Sequence, residues 1–165
     1  CDGAKGLAST DDGGVDLVVQ DAYRAGDPVP DMATVEFLRG QVARVLRPDG
    51  LYLANMWGSG DLEFVLRAIA AVGEVFEHLL VFAEAGAFMR KRPGNFVVAA
   101  SNARLAEHEL AEWASNTDNH VHCLNRAQLS AVYGAEIWSN PLIESAPITA
   151  PVEPVLRWGH RASTS

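Results

Sequence analysis

Between Val15 and Trp57 the sequence switches between two apolar patterns, and this switch restricts the fold more than any other feature. VDLVV, Val15 to Val19, is a short β-branched run after the turn-like DDGG, the pattern of a strand buried on both faces as in a parallel sheet. From Ala33 to Leu46, apolar residues recur at Val35, Leu38, Val42, Val45 and Leu46. That is the three-and-four spacing of one helical face, and RPDG then stops the helix. LYLANMW, Leu51 to Trp57, reads as a second strand closed by GSGD, with Asp61 placed near the start of the next helix. Strand, helix, strand makes a crossover unit.

The segment LEFVLRAIAAVG continues as a helix that ends at Gly73, and VFEHLLVFA and NFVVAAS read as strands separated by the turn-forming RKRPGN. Two neighbouring strands joined by a turn imply an antiparallel pair. Beyond Ser101 the pattern changes: Arg104 to Ala114 and Asn125 to Tyr133 each suit a short helix, while NPLIESAPITAPVEPVLRWG is too rich in proline for regular structure and is expected to wrap the surface. The expected architecture is α/β: a Rossmann-like sheet, mostly parallel, with an antiparallel last strand and right-handed crossovers. Residues 1–101 would form this portion and 102–165 a helical, proline-rich extension packed on the same domain.

With 165 residues, 48% of them hydrophobic, the chain has material for one domain with a substantial core. A net charge of −8 with scattered Lys and Arg argues against a nucleic-acid partner. Two cysteines, Cys1 and Cys123, form no disulfide framework, which suits a reducing compartment and makes the cytoplasm the expected location. No apolar run approaches the roughly 20 residues that cross a bilayer, so no membrane partner is expected. The start, CDGAKGLAST, lacks an initiator Met and reads as entry into a domain already under way. HVHC, His120 to Cys123, holds three metal-ligand types but no second cluster, so a solvated loop is the better reading and no metal is expected. RKR, Arg90 to Arg92, reads as a solvated turn. Trp113, Trp138 and Trp158 are expected to anchor the tail, the other reading being an exposed dimer surface.

In open α/β sheets, ligands bind beyond the carboxyl ends of the strands, where loops diverge and backbone groups face outward. Asp21 lies at such an end, as do Trp57 and the glycines of GSG. A carboxylate partly desolvated there gains affinity for a proton or a cationic ligand, which suits a general base or an amine-binding group. The structural alternative is that Asp21 caps a loop or pairs with Arg24.

CDGAKGL, VDLVVQDAYRAGDPVP, FLRGQVARVLRPDGLYLANMW and RPGNFVVAAS together resemble the second half of a spermidine synthase-type domain, over Cys1 to Ser101. This is the aminopropyltransferase branch of the class I S-adenosylmethionine-binding fold. The resemblance implies a class I methyltransferase-type sheet whose N-terminal strands are absent from this chain. It implies that Asp2 with Gly3 holds the adenine of the nucleoside, that Asp21 and Ala22 border the same cofactor, and that Asp21 is the general base. The loop from Tyr23 to Pro30, with Asp27 and Pro28, corresponds to a gate over the site. The implied reaction moves an aminopropyl group from decarboxylated S-adenosylmethionine to a diamine such as putrescine, without a metal.

The sequence also departs from the family pattern. Arg24 stands where the family carries a second acid for the far end of the diamine, ANMWGSG lacks the acid expected after the next strand, and KRPGN replaces a tyrosine-proline pair. The family's glycine-rich loop and ribose-binding acid lie upstream of the matched segments. Two alternatives therefore stand beside the synthase reading: an S-adenosylmethionine-dependent methyltransferase acting on another small acceptor, and a catalytically degenerate homologue or fragment acting through association, a homodimer among the options.

Overall fold

A computed structural model describes residues 3–21, 23–24, 27–117 and 121–145 of the protein. A short helix α1 (Gly3–Ala8) precedes strand β1 (Val15–Gln20), and a two-stranded ribbon of β2 (Tyr23–Arg24) and β3 (Asp27–Pro28) follows. Helix α2 (Val35–Phe37) runs into a π-helical segment over Leu38–Ala43, and β4 (Leu46–Gly58), α3 (Glu63–Val75) and β5 (His78–Glu84) follow. The turn of helix α4 (Ala85–Phe88) leads to β6 (Gly94–Ser101), then α5 (Glu107–Ser115), β7 (Val121–Asn125) and α6 (Arg126–Tyr133).

The main sheet has the order β1-β4-β6-β5-β7, and its directions correct the expected mostly parallel, Rossmann-like arrangement. Among the described residues, only β1 and β4 of this sheet pair in parallel; β4 with β6, β5 with β6 and β5 with β7 are all antiparallel. The sheet is mixed and mostly antiparallel. The physical reason lies in β6, which folds back from β5 and inserts between β4 and β5. The strand-helix-strand unit β4-α3-β5 still runs in one direction, but its two strands never touch, and each instead gains an antiparallel neighbour. The antiparallel pairing expected for the β5-β6 hairpin is present, with His78 opposite Ser101 and Phe82 opposite Val97.

The main core lies where α3 covers one sheet face. Val65, Ala68, Ile69 and Val72 recur at the spacing of one helical face and are buried with Tyr52, Ala54 and Met56 of β4 and Phe96, Val98 and Ala100 of β6. Asp61 Oδ1 accepts from the Glu63 amide at 3.3 Å, as its position before the helix suggested. Leu142 is buried and ties the chain after α6 to this layer, its carbonyl accepting from Val35 N at 2.9 Å and its amide donating to Arg67 O at 3.0 Å.

Three local expectations change. RPDG does not end before the strand but forms an excursion inside β4: Val15 is opposite Leu46 and Leu17 opposite Leu51, so the intervening residues leave the register. A Cβ on Gly50 would lie 2.9 Å from Leu46 Cδ2 and 3.0 Å from Arg47 O, which explains glycine at the tightest point. Strand β1 is not buried on both faces. Among the described residues it is an edge strand, with Leu17 48% and Val19 62% exposed. Finally, HVHC is no loop where it is described, because Val121–Asn125 pairs along β5 as β7. His120, Trp158 and most of the proline-rich tail lie outside the described residues. Among the described residues, no helix is long and apolar enough to cross a membrane.

Candidate active site

The cleft beside the carboxyl end of β1 is built by an arginine that the sequence pattern does not single out. Arg44, after the π-helical segment, donates from Nη2 to Leu7 O at 2.8 Å and from Nη1 to Thr10 O at 2.9 Å, and it pairs with Asp12. These bonds satisfy carbonyls at the end of α1, which has too few residues to hold itself, and fix it beside β1. Between them lies a cleft of about 400 Å³ lined by Gly3, Gly6, Leu7 and Thr10 on one side, by Val18, Val19, Gln20 and Asp21 on the other, and by Met32. That volume is in the range of small-molecule sites, about 300–1,000 Å³.

Two side chains of β4 reach across to the end of β1. Asn55 Nδ2 donates to Asp21 Oδ1 at 3.0 Å, and the Tyr52 hydroxyl donates to Gln20 Oε1 at 3.0 Å. Tyr52 is fully buried and stacks on Phe76, with ring centroids 5.6 Å apart. Burial raises its phenol well above the ordinary tyrosine range, so it stays a donor. With Gln20 Oε1 engaged, the amide's donor end is the one that Tyr52 does not use. Asp21 is exposed to solvent, contrary to the expected partial desolvation, and among the described residues its carboxylate accepts from Asn55.

Of the residues singled out from sequence, Gly3 and Asp21 line the cleft together. Asp2 and Ala22 lie outside the described residues, as do the side chains of Tyr23, Arg24, Asp27 and Pro28. The backbone of the expected gate forms the ribbon β2-β3, with Arg24 opposite Asp27 and Tyr23 opposite Pro28, and Pro30 opens a 3-10 turn over Pro30–Ala33. Trp57, Gly58 and Gly60 do not line this cleft. The sequence pattern does not single out Gln20, Asn55 or Arg44. Gln20 was legible as a polar residue closing an apolar strand, but the other two act across more than 30 residues of chain.

His122 and Cys123 occupy successive positions of β7 and so face opposite sides of the sheet. Among the described residues, no group of three or more His, Cys, Asp and Glu side chains could hold a metal ion. Burial, with a smaller contribution from the Glu107 carboxylate, pushes the Cys123 thiol up to about 11, far from a reactive thiolate at neutral pH. Trp138 anchors as expected, donating to Ser130 Oγ at 2.8 Å beneath the Arg126 guanidinium, 4.3 Å from the ring. Trp113 does not, being 66% exposed.

No protein-family model matches the chain, and no curated protein matches it. Solved structures do. A probable spermidine synthase from Corynebacterium glutamicum superposes with a TM-score of 0.72 at 22% identity, over 82% of this chain and 50% of that one. The chain has a spermidine synthase-like fold. Spermidine synthase from Thermotoga maritima matches at 14% identity with a TM-score of 0.49, over 81% of this chain and 44% of that one. The chain thus spans about half the length of these two solved structures. In this spermidine synthase-like fold the mixed sheet carries the cleft at the carboxyl end of β1, the place where strand-end loops leave room for a ligand.

Proposed function

We propose that the chain is part of an aminopropyltransferase of the spermidine synthase type, with Asp21 as general base. The observation that carries this reading is the cleft of about 400 Å³ that brings Asp21 and Gly3 together at the end of β1. Asp2 with Gly3 would hold the adenine of decarboxylated S-adenosylmethionine, Asp2 accepting from the exocyclic amine, and Ala22 would border the same nucleoside. The segment from Tyr23 to Pro30, with Asp27 and Pro28, would close over the site and exclude water.

The acceptor is a small diamine such as putrescine. An ammonium has no lone pair, so Asp21 first takes a proton from it. The freed nitrogen attacks the propyl carbon bound to the sulfonium, the new nitrogen–carbon bond forms as the carbon–sulfur bond breaks, and the electron pair stays on sulfur as a neutral thioether. Incubation of the intact protein with decarboxylated donor and putrescine is expected to yield spermidine and methylthioadenosine. Asp21→Asn is expected to lower kcat by about 10²–10⁴-fold with the unfolding midpoint unchanged. Retained turnover in that variant overturns the base assignment. Arg24, where an acid would hold the far ammonium, favours a second reading, methyl transfer from S-adenosylmethionine to another acceptor. Methylated product without aminopropyl transfer would select it.

A further inference from the structure

The contact between Asn55 and Asp21 joins two strands 34 residues apart in sequence and sits one step beyond the pair Gln20–Ala54 in the parallel ladder. An exposed aspartate at a strand end exchanges between rotamers and presents its two oxygens alternately. Asn55 does not share that freedom. It lies in the interior of β4, opposite Val97 of β6 and one residue past the last pair with β1.

The rest of the amide tells what it is for. Among the described residues, Asn55 Oδ1 is buried and has no hydrogen-bond partner. A buried acceptor left unpaired costs about 1–3 kcal/mol, so an apolar side chain would suit this strand position better if packing were its only role. The amide orientation follows from Asp21: the opposite one would set a carbonyl oxygen against a carboxylate.

We propose that Asn55 is the positioning residue for the base. By occupying Oδ1 of Asp21 with a donor, it holds the carboxylate in one orientation and leaves Oδ2 to take the proton from the substrate ammonium. The inference rests on the aminopropyl-transfer reading and adds to it the oxygen that reacts and the strand that aims it.

Steady-state kinetics of the intact protein with decarboxylated S-adenosylmethionine and putrescine test this in Asn55→Leu and Asn55→Asp. The first removes the donor and the second keeps the shape while setting a like charge against Asp21. Both are expected to lower kcat about 10–100-fold, with KM for the nucleoside donor within about twofold of the unsubstituted value. Thermal unfolding of each variant accompanies the kinetics, and the near-isosteric Asn55→Asp carries the test if the leucine variant fails to fold. Unchanged kcat in a folded variant, or a loss confined to KM for the nucleoside donor, overturns the positioning role alone. Absence of aminopropyl transfer by the unsubstituted protein is a different result, which removes the functional reading and this inference with it.

Discussion

Asp21 and Gln20 illustrate how the end of a strand becomes a polar floor. Each is engaged by a residue of the neighbouring strand, Asn55 for the carboxylate and Tyr52 for the amide. Gly58, at the other end of β4, has a packing role that its place in a Gly-x-Gly sequence would not suggest. A Cβ there would lie 2.5 Å from Phe96 Cε2 and 2.7 Å from Leu62 Cδ2, both in fully packed surroundings. Gly58→Ala is therefore expected to destabilise the protein by about 1–3 kcal/mol, read as a lower midpoint in denaturant unfolding. An unchanged midpoint would mean that Phe96 and Leu62 can move aside.

Among the elements, α6 shows a local signal that carries its own start. Asn125 Oδ1 accepts from Gln128 N at 3.0 Å, and Gln128 Oε1 accepts from Asn125 N at 2.9 Å, a reciprocal cap that the sequence NRAQ encodes over three residues. Asn125→Ala is expected to cost about 1 kcal/mol, within the usual 0.5–2, measured by thermal unfolding. Because Asn125 also ends β7, pairing with Leu80 of β5, the same change should loosen that strand in hydrogen exchange. Strand β7 was not legible: VHCLN alternates weakly, and its pairing with β5 is a contact across some 40 residues. Helix α3 was legible almost to its ends, because a face as continuous as Val65, Ala68, Ile69 and Val72 leaves no other period. The RPDG excursion reads as a stop, since a turn inside a strand and a turn before one look alike in sequence.

At the scale of this whole chain, β1 is the edge of the sheet among the described residues, and this bears on the behaviour of this chain in solution. Leu17 and Val19 are exposed there, and Val97 and Trp113 are exposed elsewhere on the surface. An edge that pairs on one side only offers backbone groups to another chain. Self-association of this chain is expected to rise with concentration and to fall in a Leu17→Lys, Val19→Lys double variant, as followed by sedimentation velocity. A monomer at all concentrations in both proteins would remove the edge as the cause. Apolar periodicity determined the strands on either side of Asp21, the helix between them and α3, because those patterns act over a single turn or pleat. Strand directions were decided in three dimensions: whether β6 pairs beside β5 alone or also inserts against β4 depends on which faces pack, and no local pattern records that choice. The cleft follows the same division. Asp21 at the end of an apolar strand stood out in the sequence, whereas Asn55 and Arg44 acquired their roles only when the fold brought distant residues within hydrogen-bond reach.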